Sequence, residues 1–347
     1  MKAVLVIQVF NLFYMKVVIP MAGRGTRMRP HTLTVPKPLI PIAGKPIVQR
    51  LVEEIAKVTG EAIDEIAFII GDFGVDVELQ LASIAHQLGA KASFFYQQEA
   101  LGTAHAIYCA ESVLDGKVIV AFADTLFKAD FTIDPDSDGS VWVNRIPDPS
   151  NFGVVTVDSD GFIGDFVEKP KIFVSDLAII GIYYFKEASI LRTQIQRLLD
   201  NNIVVNGEYQ LTDALKNMQV EGLKFVPGQV EEWMDCGNKD ATVFTNQRIL
   251  EYHRDEQLID TSAQLVNSVI IEPVYIGPGV RIENSVVGPH LSVGAHCQIT
   301  NSIVSNSIIQ TNTVICNTNF TNSMLGNFVS YIKENQVVNV GDYTYIG

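Results

Sequence analysis

The first 52 residues contain no aspartate and no glutamate, although the 347-residue chain carries 39 acidic side chains. The same stretch holds Lys2, Lys16, Arg24, Arg27, Arg29, Lys37, Lys45 and Arg50, and the remainder, with 17 basic residues against 39 acidic, nets −22. A total charge of −14 excludes the broad basic face that nucleic acid needs, but is compatible with one local pocket for a small anion. Cysteine is scarce: Cys109, Cys236, Cys297 and Cys316 lie far apart without CxxC spacing. That argues against a zinc site or disulfide framework and points to a reducing cytoplasm. Long apolar runs are missing too, so no membrane association is expected. The stretch MKAVLVIQVFNLFY at residues 1–14 is too short to span a bilayer and lacks a small-residue cleavage signature. We expect residues 1–14 to be an appendage and Met15 to lie near the functional start.

What the amino-terminal region does contain is GRGTRMRP at residues 23–30, PKPL at 36–39 and GKP at 44–46. Glycines let backbone amides approach phosphate oxygens, and the arginines and lysines neutralise charge that the amides cannot. The combination reads as a triphosphate cradle. Residues 16–22 have the near-continuous apolar pattern of a central parallel strand. Helix is expected over 47–58, 76–88 and 103–113, and strand over 65–70, 91–97 and 117–122. This alternation predicts an α/β fold with a doubly wound, mixed sheet that binds ligands at the carboxyl ends of its strands. Residues 139–185 are richer in β pattern, and residues 186–252 return to helices around a short strand near 223–227.

Beyond residue 260 the composition changes. From Ala263 to Ile332 the only charged residues are Glu272, Arg281 and Glu283. Ile276, Ile282, Val287, Val293 and Ile299 recur at close to six-residue intervals, with glycine directly after three of them. That is the hexapeptide signature of a β-solenoid, with Gly and Asn at corners that need left-handed backbone angles. A small β-sandwich is the alternative, because the spacing slips between Ile282 and Val287. The expected domains are 15–252 and 263–332. The exposed ends of a short solenoid predict self-association into a homo-oligomer.

GRGTRMRP with PKPL and GKP resembles the nucleotide-binding signature of sugar-1-phosphate nucleotidylyltransferases, of the glucose-1-phosphate thymidylyltransferase and uridylyltransferase type. The resemblance covers roughly residues 15–252, and the hexapeptide region is similar to the left-handed β-helix of the family's longer members. It implies a Rossmann-like domain in which a sugar-1-phosphate oxygen attacks the α-phosphate of a nucleoside triphosphate, releasing pyrophosphate. Arg27 and Lys37 match the catalytic residues that grip the phosphates, and Ala22, Gly23, Gly25 and Thr26 match the nucleotide loop. The segment YQQEALGTAHAI at 96–107 is similar to the base-recognition element, with Gln97 on the pyrimidine edge, Gly102 leaving room for the ring and Thr103 beside it. Asp124 and Asp235, the latter in a WxDxG pattern, resemble the pair that holds Mg2+ across the cleft. On the sugar side, Gly153 of NFGVV would avoid collision with a hexose, Glu168 would accept from its hydroxyls and Lys169 would bind its phosphate, with GEYQLTDAL at 207–215 bordering the pocket. Glucose-1-phosphate with dTTP or UTP is the expected substrate pair.

The motif opens with PMAG, where many relatives have a further glycine. Cys109 and Cys236 have no evident histidine base, so direct displacement is expected rather than a covalent intermediate. Two other readings stay open. One is added acyl transfer on the solenoid, where His290 and His296 sit; the other is a non-catalytic subunit that binds nucleotide sugars. A dinucleotide site lacks the third glycine and the later ribose-binding acid.

Overall fold

The computed structural model describes residues 15–129, 133–134, 136–334 and 340–345; the expected appendage, residues 1–14, lies outside them. The chain divides into two compact units. One comprises the chain up to Gly25 together with Ile47–Trp233, the other Thr26–Pro46 together with the chain from Met234 onward.

The first unit is built on a nine-stranded sheet. Its main path runs Ile163–Glu168, Gly153–Val157, Leu177–Phe185, Val118–Ala121, Met15–Pro20, Ile63–Ile70, Lys91–Tyr96. Gly139–Arg145 and Phe225–Gln229 extend it from Leu177–Phe185. Met15–Pro20 pairs in parallel on both sides, and Val17, Val18 and Ile19 are completely buried. A strand covered on both faces needs this unbroken apolar run. Leu177–Phe185 runs antiparallel to Val118–Ala121, which makes the sheet mixed, as expected. The helix Ile47–Thr59 buries Ile47, Val48, Leu51, Val52 and Ile55, the spacing of one apolar stripe.

The predicted elements return with shifted ends. The strand expected over 16–22 stops at Pro20, where Met21 leaves for the glycine loop. The helix expected over 103–113 is α-helical only over Thr103–Tyr108. Ala110, at φ −103° and ψ 30°, then breaks it into a short 3₁₀ turn, Glu111–Val113.

In the second unit the helix Lys239–Tyr252 begins at Asn238, whose side chain accepts from the Ala241 N–H at 3.0 Å. A three-faced stack of parallel strands follows. One face runs Gln264–Val266, Arg281–Glu283, Gln298–Thr300, Val314–Cys316, Ser330–Ile332, and the others repeat alongside it. Successive partners are 17 or 16 residues apart, less than three full hexapeptides, which accounts for the slip between Ile282 and Val287. All these pairings are parallel, so the β-sandwich alternative falls and the arrangement is consistent with a left-handed β-helix.

The five aliphatic positions singled out from sequence, Ile276, Ile282, Val287, Val293 and Ile299, are all completely buried. Asn267, Asn284, Asn301 and Asn317 occupy equivalent corners at φ between 45° and 56°. Their amides bond from rung to rung, Asn267 to Asn284 at 2.7 Å and Asn301 to Asn317 at 3.1 Å. His290 and His296 are corner residues of the same kind, at φ 61° and 58°.

Candidate active site

In the first unit, the parallel strands Met15–Pro20, Ile63–Ile70, Lys91–Tyr96 and Val118–Ala121 end at one edge of the sheet. From Met15–Pro20 the chain builds outward through Ile63–Ile70 on one side, then returns to add Val118–Ala121 on the other. The loops leaving Pro20 and Ala121 therefore diverge, which is where an open α/β sheet leaves its crevice. Ala22, Gly23 and Gly25 lie on the first loop and Asp124 on the second. Gly25 has φ +56° and needs glycine's freedom, but Gly23 does not have a positive φ. A Cβ added at Gly23 would meet no atom within 4 Å, so nothing in the folded chain demands glycine there. The open space suits a phosphate that must approach backbone amides. Asp124 is half-buried in a turn held by the Phe122 N–H on Gly181 O at 2.9 Å and the Thr125 hydroxyl on Ile180 O at 2.8 Å.

Gln97 follows the strand Lys91–Tyr96, and its backbone N–H donates to Ile70 O at 3.0 Å. Its side-chain nitrogen lies 3.3 Å from Gly102 O and 3.2 Å from His105 Nδ1. A carbonyl oxygen can only accept, so the NH2 end of the amide faces inward; burial lowers the His105 pKa and favours the neutral ring that can accept on Nδ1. Gly102 has its own structural reason. At φ +112°, a Cβ there would lie 2.5 Å from Tyr209 O and 2.6 Å from Tyr209 N. The Tyr209 N–H donates to Leu101 O, the Ala104 N–H to Tyr209 O, and the Leu211 N–H to the Thr103 hydroxyl, lacing LGT to EYQL. Gly102 holds the helix N-cap position, and the Thr103 hydroxyl is turned to Leu211.

The sugar-side residues reach the same edge through the antiparallel strand. Ile182 pairs with Ala121, so the residues before Ile182 extend past the carboxyl end of Val118–Ala121; there Ala178 pairs with Val154, beside Gly153, which is opposite Glu168. A Cβ on Gly153 would lie 3.1 Å from Glu168 Oε2, 3.2 Å from Ile179 Cδ1 and 3.4 Å from Thr212 Cγ2. The glycine therefore makes room for the Glu168 carboxylate before any ligand is considered. Burial raises the Glu168 pKa, while Lys169, with its Nζ 3.8 Å away, and the Thr212 hydroxyl at 3.3 Å favour the ionised form. Lys169 is held at φ +42°, and its N–H donates to Phe152 O at 3.1 Å.

In the second unit, Thr26 and the exposed Arg27 form a 3₁₀ turn anchored by the buried Met28, and the half-buried Lys37 opens another, Lys37–Leu39. Asp235 ends the strand Glu232–Asp235, and its Oδ1 accepts from the Gly237 N–H at 2.8 Å, a local turn that aims the carboxylate. Among the described residues no group of three or more His, Cys, Asp or Glu side chains is placed to hold a metal. Asp124 and Asp235 are hard oxygen donors of the type Mg2+ prefers, and that ion usually takes one or two carboxylates and completes its shell with water and substrate phosphates. Cys109 has its thiol pushed up by burial, so it is not a ready thiolate, and Cys236 is buried.

The sheet thus brings the Gly23 loop, Gln97, Asp124, Gly153 and Glu168 of the first unit to one edge. His105, Tyr209 and Thr212 were not singled out from sequence. The only signal for them was membership in the segments 96–107 and 207–215, since no spacing rule links Thr103 to Leu211 or Glu168 to Thr212.

The nucleotidyl transferase family model matches residues 16–251. The chain is 30% identical over 318 residues to a glucose-1-phosphate thymidylyltransferase of Streptomyces antibioticus, covering 85% of this chain and 87% of that protein. It is also 30% identical over 276 residues to the bifunctional protein GlmU of Methanococcus aeolicus, covering 78% of this chain and 62% of that protein. A solved UDP-glucose pyrophosphorylase complexed with UDP-glucose shares the fold, with TM-score 0.56 at 24% identity over 69% of this chain and 99% of that one. The family match over residues 16–251 and the thymidylyltransferase relative show that the chain belongs to the nucleotidyl transferase family as a sugar-1-phosphate nucleotidyltransferase.

Proposed function

We propose that this enzyme condenses glucose-1-phosphate with dTTP or UTP. A non-bridging phosphate oxygen of the sugar phosphate forms a bond to the α-phosphorus, the bond from that phosphorus to the β-phosphate bridging oxygen breaks, and pyrophosphate leaves. Both reactants are anions, so the protein's task is alignment and charge neutralisation. Arg27 holds the β- and γ-phosphates and Lys37 the α-phosphate region, while Ala22, Gly23, Gly25 and Thr26 line the nucleotide loop. Asp124 and Asp235 would hold Mg2+, which when bound would supply further neutralisation of the phosphate charge. Gln97, its NH2 end turned to Gly102 O and His105, offers its carbonyl oxygen to the N3–H of a uracil or thymine ring. Gly102 and Thr103 form the floor of the base site; Glu168 accepts from sugar hydroxyls, Lys169 grips the sugar phosphate, and Gly153 leaves room for Glu168. The observation that carries the reading is Gly23, an unfilled glycine at a diverging pair of strand ends.

The catalytic domain of this reading is 15–252 and the β-helix 263–332, in a cytoplasmic enzyme that self-associates through the β-helix. Support for association is the exposed first rung, where Leu265, Val266, Val269 and Ile271 are each at least 41% exposed. Acyl transfer has less support, because His290 and His296 serve as corners and His290 Nε2 is engaged with Glu251 at 2.6 Å. Five triphosphates assayed against several hexose-1-phosphates test the proposal. The expected result is Mg2+-dependent pyrophosphate release, greatest with glucose-1-phosphate and dTTP or UTP; a preference for a purine triphosphate or CTP would overturn the base assignment.

A further inference from the structure

The segment Thr26–Pro46, which carries Arg27 and Lys37, folds with the helix Lys239–Tyr252 and the β-helix as part of the second unit. Its end is a two-residue hairpin, Pro41–Ile42 to Lys45–Pro46, turning through Ala43 and Gly44 at φ 44° and 84°. Both central residues have positive φ, the pattern of a type I′ turn, which accepts glycine readily and alanine poorly. A non-glycine residue stays in such a conformation only where its surroundings over-determine it.

Those surroundings centre on Asn246, which is completely buried. Asn246 Oδ1 accepts from the Ala43 N–H at 2.9 Å and from the Ser292 hydroxyl at 2.7 Å, and Nδ2 lies 3.4 Å from His290 O. One amide therefore joins the hairpin to a rung of the β-helix, both bonds to its oxygen being buried. Beside it, a Cβ on Gly44 would collide with the Tyr275 ring of the β-helix. One turn earlier on the same helix, the Thr242 hydroxyl, whose shortest bond is to Asn238 O at 2.7 Å, also lies 3.5 Å from Met28 Sδ; the Thr245 hydroxyl, next to Asn246, donates to Asp235 O at 2.8 Å. A single helix thus touches the Arg27 turn through Met28, anchors the hairpin that follows Lys37 and holds the Asp235 backbone, and the β-helix backs that helix.

We infer that Asn246 is a positioning residue for nucleotidyl transfer, through which the β-helix anchors the hairpin that follows Lys37 and so holds the Arg27 and Lys37 segment in its working geometry. The inference rests on the proposed roles of Arg27 and Lys37. Buried, doubly engaged amide oxygens restrict their partners far more than exposed ones do, because no water can replace the lost bonds. The β-helix then acts on catalysis in each chain, independently of any part it takes in assembly.

Full-length Asn246→Leu, Asn246→Asp, Ser292→Ala and Arg27→Ala proteins, with KM measured separately for triphosphate and sugar-1-phosphate, test this. Asn246→Leu removes the acceptor at nearly constant shape and is expected to raise the triphosphate KM about tenfold, leaving the sugar-1-phosphate KM unchanged. Asn246→Asp keeps an acceptor for Ala43 and Ser292 and is expected to recover most of the affinity. Ser292→Ala, which loosens only the β-helix side, should raise the triphosphate KM about twofold and decides the matter if Asn246→Leu does not fold. Equal changes in both KM values, or none, with Arg27→Ala still raising the triphosphate KM, would overturn the inference. If Arg27→Ala leaves the triphosphate KM unchanged, the reading of the loop fails and the inference falls with it.

Discussion

Glycines do opposite work in the two units. In the sheet unit, Gly23 borders empty space, with no atom within 4 Å of where a Cβ would stand. In the β-helix, the corresponding space at Gly294 is taken: a Cβ there would lie 2.9 Å from Thr311 N and 3.0 Å from Gln310 C in the next rung. The first glycine leaves open the space that the proposed function gives to phosphate, and the second lets one turn of backbone close on another. Glycine abundance alone therefore cannot tell an open loop from a tight stack; the neighbours of the absent side chain can.

This contrast can be broken most sharply at the carboxylates. Asp124→Asn or Asp235→Asn should lower kcat by about 10²–10³ in a protein that still folds and melts cooperatively, a loss far larger than any change in folded fraction explains. Unchanged turnover would remove the metal assignment. The glycine pair comes next. Gly294→Ala should cost about 1–3 kcal/mol through overpacking against Thr311, read as a lower melting temperature. Gly23→Ala should leave melting unchanged and raise the triphosphate KM about tenfold. If the two alanine variants behaved alike, the distinction between reserved and occupied space would not hold.

Smaller effects sharpen the picture. Asn301, at φ +48°, bonds to Asn317 across rungs, so Asn301→Ala should cost about 1–2 kcal/mol in denaturant unfolding without changing KM for either substrate. Glu168 has its pKa raised by burial, so its folding contribution is favourable at acid pH and is lost as pH rises through the folded value. Glu168→Gln should therefore stabilise the protein slightly at neutral pH, with no gain at pH values below the ordinary glutamate range, while weakening sugar-1-phosphate binding. A variant less stable at neutral pH would contradict that sign.

Much of the sheet was legible because its signals are local. The unbroken apolar run at Val17–Ile19 and the helical stripe from Ile47 to Ile55 follow from period and burial alone. The solenoid was legible for the same reason, although its rungs of 17 and 16 residues could not be counted until the pairing showed which corners had been shortened. The site was legible as motifs but not as geometry. Gly102 looked like room for a base, yet the space its side chain would fill is taken by the backbone of Tyr209, more than a hundred residues away. Gly153 looked like room for a hexose, and its nearest neighbour is the Glu168 carboxylate.

From sequence alone came the acid-free amino-terminal stretch with its glycines and cations, the alternation of strand and helix, and the six-residue aliphatic beat, because each is a property of neighbours along the chain. Only the tertiary structure could assign Thr26–Pro46 to the same unit as the β-helix, turn the Thr103 hydroxyl to Leu211, and place Asn246 between Ala43 and Ser292. Those contacts close loops of a hundred residues or more, or depend on which rung a corner ends in. Each buries polar groups whose desolvation is offset only when a partner is found, and no local pattern encodes which distant partner will satisfy them.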